Sequence, residues 1–244
     1  MHIGSTIIAA AKGVFLAGPR GQHRDIGKLG HYRILDERAK QLIADYNRMP
    51  LCAKRYNPAA EQVYQARRRF GDPLLCEFEP YIVTGLKRFD MGRTMAVDFP
   101  NRLRNSLRVV RMRPLIGKFR ECRLSAVDLS AFGSEIEAIY ECLAPAGTLH
   151  PENQSHVAAT KILHWLFPDL FLMLDSRVAG VFRDVFGVRF VKSTQPGYSA
   201  EKYLQCLQLA QDDIRSFGVE RFRCLEATTP EARIFDKIAW AGTP

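Results

Sequence analysis

The sequence predicts a mostly α-helical protein folded as one compact multi-helix domain, residues 1–244, with at most a short strand or extended segment. Apolar residues recur at helical spacing in segment after segment. Ser, Asp, Pro and Gly sit where those segments should start and stop. No repeat, low-complexity tract or linker divides the chain. At 244 residues, 47% hydrophobic and 25% charged, it can bury most of its apolar surface without disulfides or a structural metal.

Taken in order, the first thirty residues contain GPRGQHRDIGKLG. Its glycines are one residue too far apart for a phosphate-binding loop, and Leu29 stands where a magnesium-binding hydroxyl belongs, so a mobile basic segment is expected. A first helix starts at Asp36, which can cap it; Leu35, Ala39, Leu42, Ile43 and Tyr46 share a face, and Pro50 stops it. NPAAEQVYQARRRF makes a second, entered at Asn57-Pro58 and closed by Gly71. Its Arg67-Arg68-Arg69 end suits the negative pole of the helix dipole. A third spans Tyr81 to Phe89. From Asn101 to Met112, Leu103, Leu107 and Val110 face inward while Arg104, Arg108 and Arg111 line the flank, until Pro114 ends the helix.

Ser125 and Asp128 open the next helix, whose Leu129, Phe132, Ile136, Ile139, Tyr140 and Leu143 lead to Pro145. His156 to Leu166 follows, with Ala158, Ala159, Ile162, Leu163, Trp165 and Leu166 inward and Pro168 as its stop. The run LFLML is too short and too apolar to be anything but buried. Asp175 then caps a helix carrying Val178, Val181, Phe182, Val185 and Phe186 up to Gly187. Val188 to Lys192 reads as a short strand or extended link. Ser199 caps a longer helix with Tyr203, Leu207, Ala210, Ile214 and Phe217 inward and Gly218 at its end. Thr229-Pro230-Glu231 opens the last, which buries Ile234, Phe235, Ile238 and Trp240.

Composition narrows the function classes. No apolar run approaches membrane-spanning length, so no membrane is expected. The opening MHIGSTIIAAAKGVFLAG lacks a basic leading segment, and Lys12 interrupts its apolar run, which argues against a secretion signal. Six cysteines are scattered without C-x-x-C or finger spacing, so neither a metal nor another cofactor is expected and the cytoplasm is the predicted compartment. The net charge of +9 is concentrated: Tyr81 to Arg123 holds eleven Lys/Arg against three acids, leaving +8 there and +1 elsewhere. Nine of the eleven are Arg, which suits bidentate phosphate contacts. Arg102, Arg104, Arg108, Arg111 and Arg113 are therefore candidate nucleic-acid contacts, DNA before RNA. A solvated basic face without a partner is the plainer alternative.

Chemistry concentrates between His156 and Phe186. Lys161 lies among Ala, Ile, Leu and Trp, where lost solvation favours the neutral, nucleophilic amine. The plainer reading is a snorkelling lysine. Asp175 is fully explained as a helix cap, yet a capping carboxylate can also face a cleft. His164 and Trp165 lie beside Lys161 at i+3 and i+4 and are candidate pocket residues, with Trp165 and Phe167 as candidate stacking rings. His150, His156 and Glu152 find no third ligand at a metal spacing.

Thr160-Lys161, then Pro168, then Leu170 to Leu174, then Asp175-Ser176-Arg177-Val178 resembles the lysine–proline–aspartate block of the helix-hairpin-helix DNA glycosylases. That resemblance implies a lysine attacking the sugar C1′ of an extruded nucleotide to form a Schiff base, with the aspartate stabilising the positive transition state. It covers about thirty residues. Arg177 stands close to the family's usual His and joins the candidate nucleic-acid contacts. The interval from Lys161 to Asp175 is about one helical turn short. Gln154-Ser155-His156-Val157-Ala158-Ala159 replaces the glycine-bearing hairpin, which removes its phosphate-binding amides.

The expectation is thus a nucleic-acid-binding protein, and a base-excision glycosylase if Lys161 and Asp175 are catalytic. Two other classes stay open: a non-catalytic DNA- or RNA-binding regulatory or defence module, and a helical protein-interaction domain.

Overall fold

The computed structural model describes residues 31–242 apart from 73, 75, 90, 92–94, 153, 185 and 189–198. The expected basic segment up to residue 30, the inward Val185 and the link at 189–192 fall outside the described residues. Within them the fold is all-α, with no strand. Ten α-helices follow one another: α1 His31–Arg48, α2 Asn57–Phe70, α3 Glu79–Arg88, α4 Phe99–Arg111, α5 Leu129–Glu141, α6 His156–Leu166, α7 Ser176–Asp184, α8 Ala200–Phe217, α9 Val219–Cys224 and α10 Glu231–Ala241.

Most starts and stops obey the local chemistry. Asp128 accepts from the amides of Ser130 and Ala131 at the start of α5, and Ser199 accepts from Lys202 at the start of α8. Gly71 and Gly218 close α2 and α8 at positive φ, where glycine has no side-chain penalty. Two expectations need correction. First, α1 begins at His31, so Asp36 lies inside it and pairs with Arg221 at 2.9 Å instead of capping. Second, α9 is too short to show a period and was not expected. α1 stops at Arg48, short of Pro50, as the sequence predicts. Pro50 then sits where a new turn starts and its missing N–H is no loss, and a π-helical turn, Cys52–Tyr56, leads on into α2.

α6 is the axis of the packing. Every residue from Ala158 to Leu166 is buried, and α2, α3 and α5 pack around it. A helix enclosed on all sides is apolar nearly all round. α1 lies along α10, α5 along α8, and α7 and α9 also pack on α10. One contiguous core runs from Ala39 to Ala239. No described helix is long and apolar enough to cross a membrane.

Leu170 to Leu174 is wholly buried: Leu170 ends the turn that follows α6, and Phe171 to Leu174 is in neither helix nor strand, with no strand beside it among the described residues. Buried amides and carbonyls must still be paired, and side chains pair them. Tyr203 Oη donates to the Leu172 carbonyl at 2.9 Å. Thr160 Oγ1 accepts from the Leu174 amide at 3.1 Å. Both Asp236 oxygens accept from the Met173 amide, at 3.2 and 3.1 Å. His164 Nδ1 meets the Phe171 carbonyl at 2.6 Å. α10 is pinned to the same region, because Asp169 Oδ1 accepts the Glu231 amide at 3.0 Å and the Glu231 carboxylate binds Ser125 and Arg223.

Close packing around α6 gives a stability test. A Cβ built on Gly85 of α3 would come within 2.7 Å of Cη2 of Trp165, which is 0% exposed. Helix propensity favours Gly85→Ala by about 1 kcal/mol, but overpacking a sealed indole costs about 1–3 kcal/mol. The variant is expected to unfold at lower urea than the parent; an unchanged or higher midpoint would show that the indole has room.

Candidate active site

Seven segments converge on one crevice. α1 contributes Tyr46, the π-helical turn Tyr56, the end of α3 Phe89, and α6 Lys161. The buried run and α7 after it supply Met173, Asp175 and Val178, and α10 adds Arg233, Asp236 and Trp240. Its interior is about 10 Å³, room for about one water, and the 250 Å³ around it includes the open mouth.

Lys161 and Asp175, singled out from sequence, are brought together here. Lys161 is 5% exposed and holds its ammonium nitrogen 4.9 Å from the centroid of Phe89. Asp175 is half-buried. Its Oδ1 caps α7 through the amides of Arg177 and Val178, at 3.0 and 3.1 Å. Arg177 lies at the edge, its guanidinium 4.1 Å from the centroid of Trp240.

Two members went unnoticed in the sequence. Arg233 is 4% exposed, donates to Tyr46 Oη at 2.6 Å and lies over the same ring at 5.0 Å. Burial pulls its guanidinium towards neutrality, but Tyr46, Tyr64 and Asp236 outweigh that and raise its pKa. Asp236, one turn on and 2% exposed, is pushed well above the usual carboxylate range by burial, although Arg233, the Met173 amide and Lys161 pull it back. Nothing in the sequence flagged them beyond their polarity, since Arg233 and Asp236 fall between the apolar positions of an amphipathic helix. Their spacing does put both on one face, i and i+3.

The other candidates lie elsewhere. His164 and Trp165 do not line the crevice. His164, 0% exposed, is held between Tyr64 Oη at 2.5 Å and the Phe171 carbonyl. A carbonyl only accepts, so Nδ1 carries the proton and Nε2 accepts from the tyrosine. Trp165 and Phe167 are sealed in the core at 0% and 1% exposed, so neither presents a ring face to a ligand. The crevice rings are instead Tyr56, stacked on Phe89 at 4.5 Å and 7°, and Trp240, edge-on to Tyr46 at 84°.

The arginine row does not line the crevice either. Arg104 forms a bidentate pair with Glu79 at 2.9 and 3.1 Å, and Arg113 another with Glu135 at 3.2 and 2.6 Å. Arg102 pairs with Asp98 at 2.6 Å and donates to the Gly147 carbonyl. Arg108 and Arg111 are exposed and form no ion pair with a described residue. Glu79 and Glu135 lie outside the basic window of the sequence, so counting charges there overstated the free excess. Glu79 and Phe89 are separated by the length of α3, which sets Arg104 roughly 15 Å from the crevice. Among the described residues no group of three or more His, Cys, Asp or Glu is placed to hold a metal.

Two measurements follow. Asp175→Ala removes a cap and is expected to cost about 1 kcal/mol in chemical denaturation; no loss would mean the cap is not formed. Burial, aided by Arg233, lowers the His164 pKa from 6.5 to about 3. The unfolded chain therefore takes up a proton below pH 6.5 that the folded chain refuses, so this group makes stability fall as pH drops from about 6.5 towards 3. Its imidazole nitrogen shifts are expected to stay constant between pH 7 and 5; titration in that window would contradict the buried pairing. Compared with protein families, curated proteins and solved structures, the chain matches none, and the site stands on its own geometry and chemistry.

Proposed function

We propose that the chain is a cytoplasmic nucleic-acid-binding protein that excises a base from DNA, with Lys161 as nucleophile. One observation carries this reading: a buried amine and two carboxylates share an aromatic-walled crevice with an arginine at its edge. Residues of perturbed ionisation gathered in a cleft are a common sign of chemistry.

The chemistry divides among these residues. A nucleotide is first extruded, since C1′ is out of reach in a duplex. The Lys161 nitrogen bonds to C1′ as the bond from C1′ to the base breaks, and the base leaves with the electron pair and takes up a proton. Asp175, at the open side, faces the positive charge that develops on the sugar. Asp175 also receives the proton lost by the attacking amine, because burial favours the protonated form of Asp236 and a protonated carboxyl cannot take it up. Opening of the C1′–O4′ bond, with a proton passing to O4′, leaves the Schiff base. Arg108, Arg111 and Arg177 contact phosphates, whereas Arg102, Arg104 and Arg113 are engaged by acids.

A non-catalytic DNA- or RNA-binding module is the second reading. It is favoured by the fact that Asp175 and Asp236 each already bond a backbone amide.

Borohydride trapping on DNA carrying an abasic or damaged site separates them. The parent is expected to form a covalent adduct and a folded Lys161→Ala variant none; an adduct that persists in the variant removes Lys161 from its role, and a parent that never traps favours the second reading. Three phosphate contacts imply that log affinity falls with log salt at a slope of about −3. A flat dependence, read by fluorescence anisotropy, would instead point to a protein partner.

A further inference from the structure

We infer that the outward face of α4 reads the major groove of B-form DNA. Asn101, Asn105, Val109 and Met112 meet base edges, while Arg108 and Arg111 take the phosphates along one side. The inference rests on the nucleic-acid reading above and adds the form of duplex bound and the side chains that select its sequence.

A helix face in contact with water is commonly built from acids and lysines spaced to pair. FPNRLRNSLRVVR, the whole of α4, holds neither an acid nor a lysine. Its Phe99, Leu103, Leu107 and Val110 are buried in the core. At about 100° per residue, Asn101, Asn105, Val109 and Met112 fall on the opposite side within an arc of about 80°, and Arg108 and Arg111 follow along one edge. Met112 keeps helical backbone angles just past the last residue of α4. All six side chains are exposed, Val109 at 54% and Met112 at 83%. Of the four large apolar side chains exposed among the described residues, three lie on α4 or beside it. The amides of Asn101 and Asn105 and the guanidinium groups of Arg108 and Arg111 make no hydrogen bond or ion pair with a described residue. Arg104, by contrast, is held by Glu79.

Each of these residue types has a counterpart in the major groove. An asparagine side chain offers a donor and an acceptor together, which matches N7 and the N6 amine of adenine. Apolar side chains meet the thymine methyl. Guanidinium groups at the edge suit phosphate oxygens in bidentate fashion. The dimensions agree as well. α4 has 13 residues and is about 20 Å long, and a helix about 10–12 Å across enters a groove about 12 Å wide. A-form RNA closes that groove to side chains, so the partner is DNA. A lipid surface takes up a helix by its apolar side, and that side of α4 is already in the core.

The test selects duplexes with the full chain from a DNA pool with a randomised centre, then measures affinity for a selected duplex by anisotropy. Selected sites are expected to be enriched in A·T pairs. Asn101→Ala and Asn105→Ala should each weaken the selected duplex by about 5- to 150-fold. Neither should alter binding to a scrambled duplex or the denaturation midpoint, because both side chains are exposed and unbonded. Met112→Ala should lose the preference for thymine over uracil in the selected duplex, where the methyl alone differs. Arg111→Ala should weaken selected and scrambled duplexes alike and make the salt slope shallower by about 0.9. Unselective binding, unaltered affinity in both asparagine variants, or equal binding to duplex RNA of the same sequence overturns the groove reading and leaves nucleic-acid binding standing. No binding to any duplex at low salt overturns both, as does binding to phosphatidylserine vesicles or to polyglutamate but not to DNA.

Discussion

A buried segment in neither helix nor strand still cannot leave its amides and carbonyls bare. Phe171 to Leu174 is such a segment, and much of the buried polarity among the described residues answers to it. Thr160, His164, Tyr203 and Asp236 come from three different helices, yet each reaches this run and bonds its backbone. An unpaired buried donor or acceptor costs about 1–3 kcal/mol, so the four together are a sizeable share of a marginal stability.

The same constraint builds the crevice. Pinning Met173 to α10 brings Arg233, Asp236 and Trp240 beside Lys161, and the chain leaving the run delivers Asp175 to the same wall. The cations gathered there rest on ring faces: Lys161 over Phe89, Arg233 over Tyr46 and Arg177 over Trp240. Rings hold a cation without neutralising it. Lys161, Asp175, Arg233 and Asp236 thus line one crevice.

Much of the fold was legible because caps and stops act locally. Asp128, Asp175, Ser199, Gly71 and Gly218 stand where their chemistry requires, and the burial of Leu170 to Leu174 follows from composition. That Lys161 and Asp175 line one crevice was readable as a possibility only from their order along the chain. What stayed hidden was non-local. Glu79 and Glu135 reach Arg104 and Arg113 across 25 and 22 residues, so the basic window carries less free charge than its composition suggests. Asp236 is 63 residues from the amide it bonds, and neither spacing nor amphipathic pattern points to that contact. Pro50 stops α1 as expected, and the turn it opens towards α2 was not legible because a missing N–H is no loss at a first turn.

Amide hydrogen exchange at Met173 and Leu174 reaches the root of this account. Both amides lie outside any helix or strand, yet side-chain bonding and burial should give them protection comparable to the amides of α6. Asp236→Ala should release Met173 selectively. Rapid exchange at both positions in the unaltered chain would contradict the claim that side chains on α6, α8 and α10 hold this run in place.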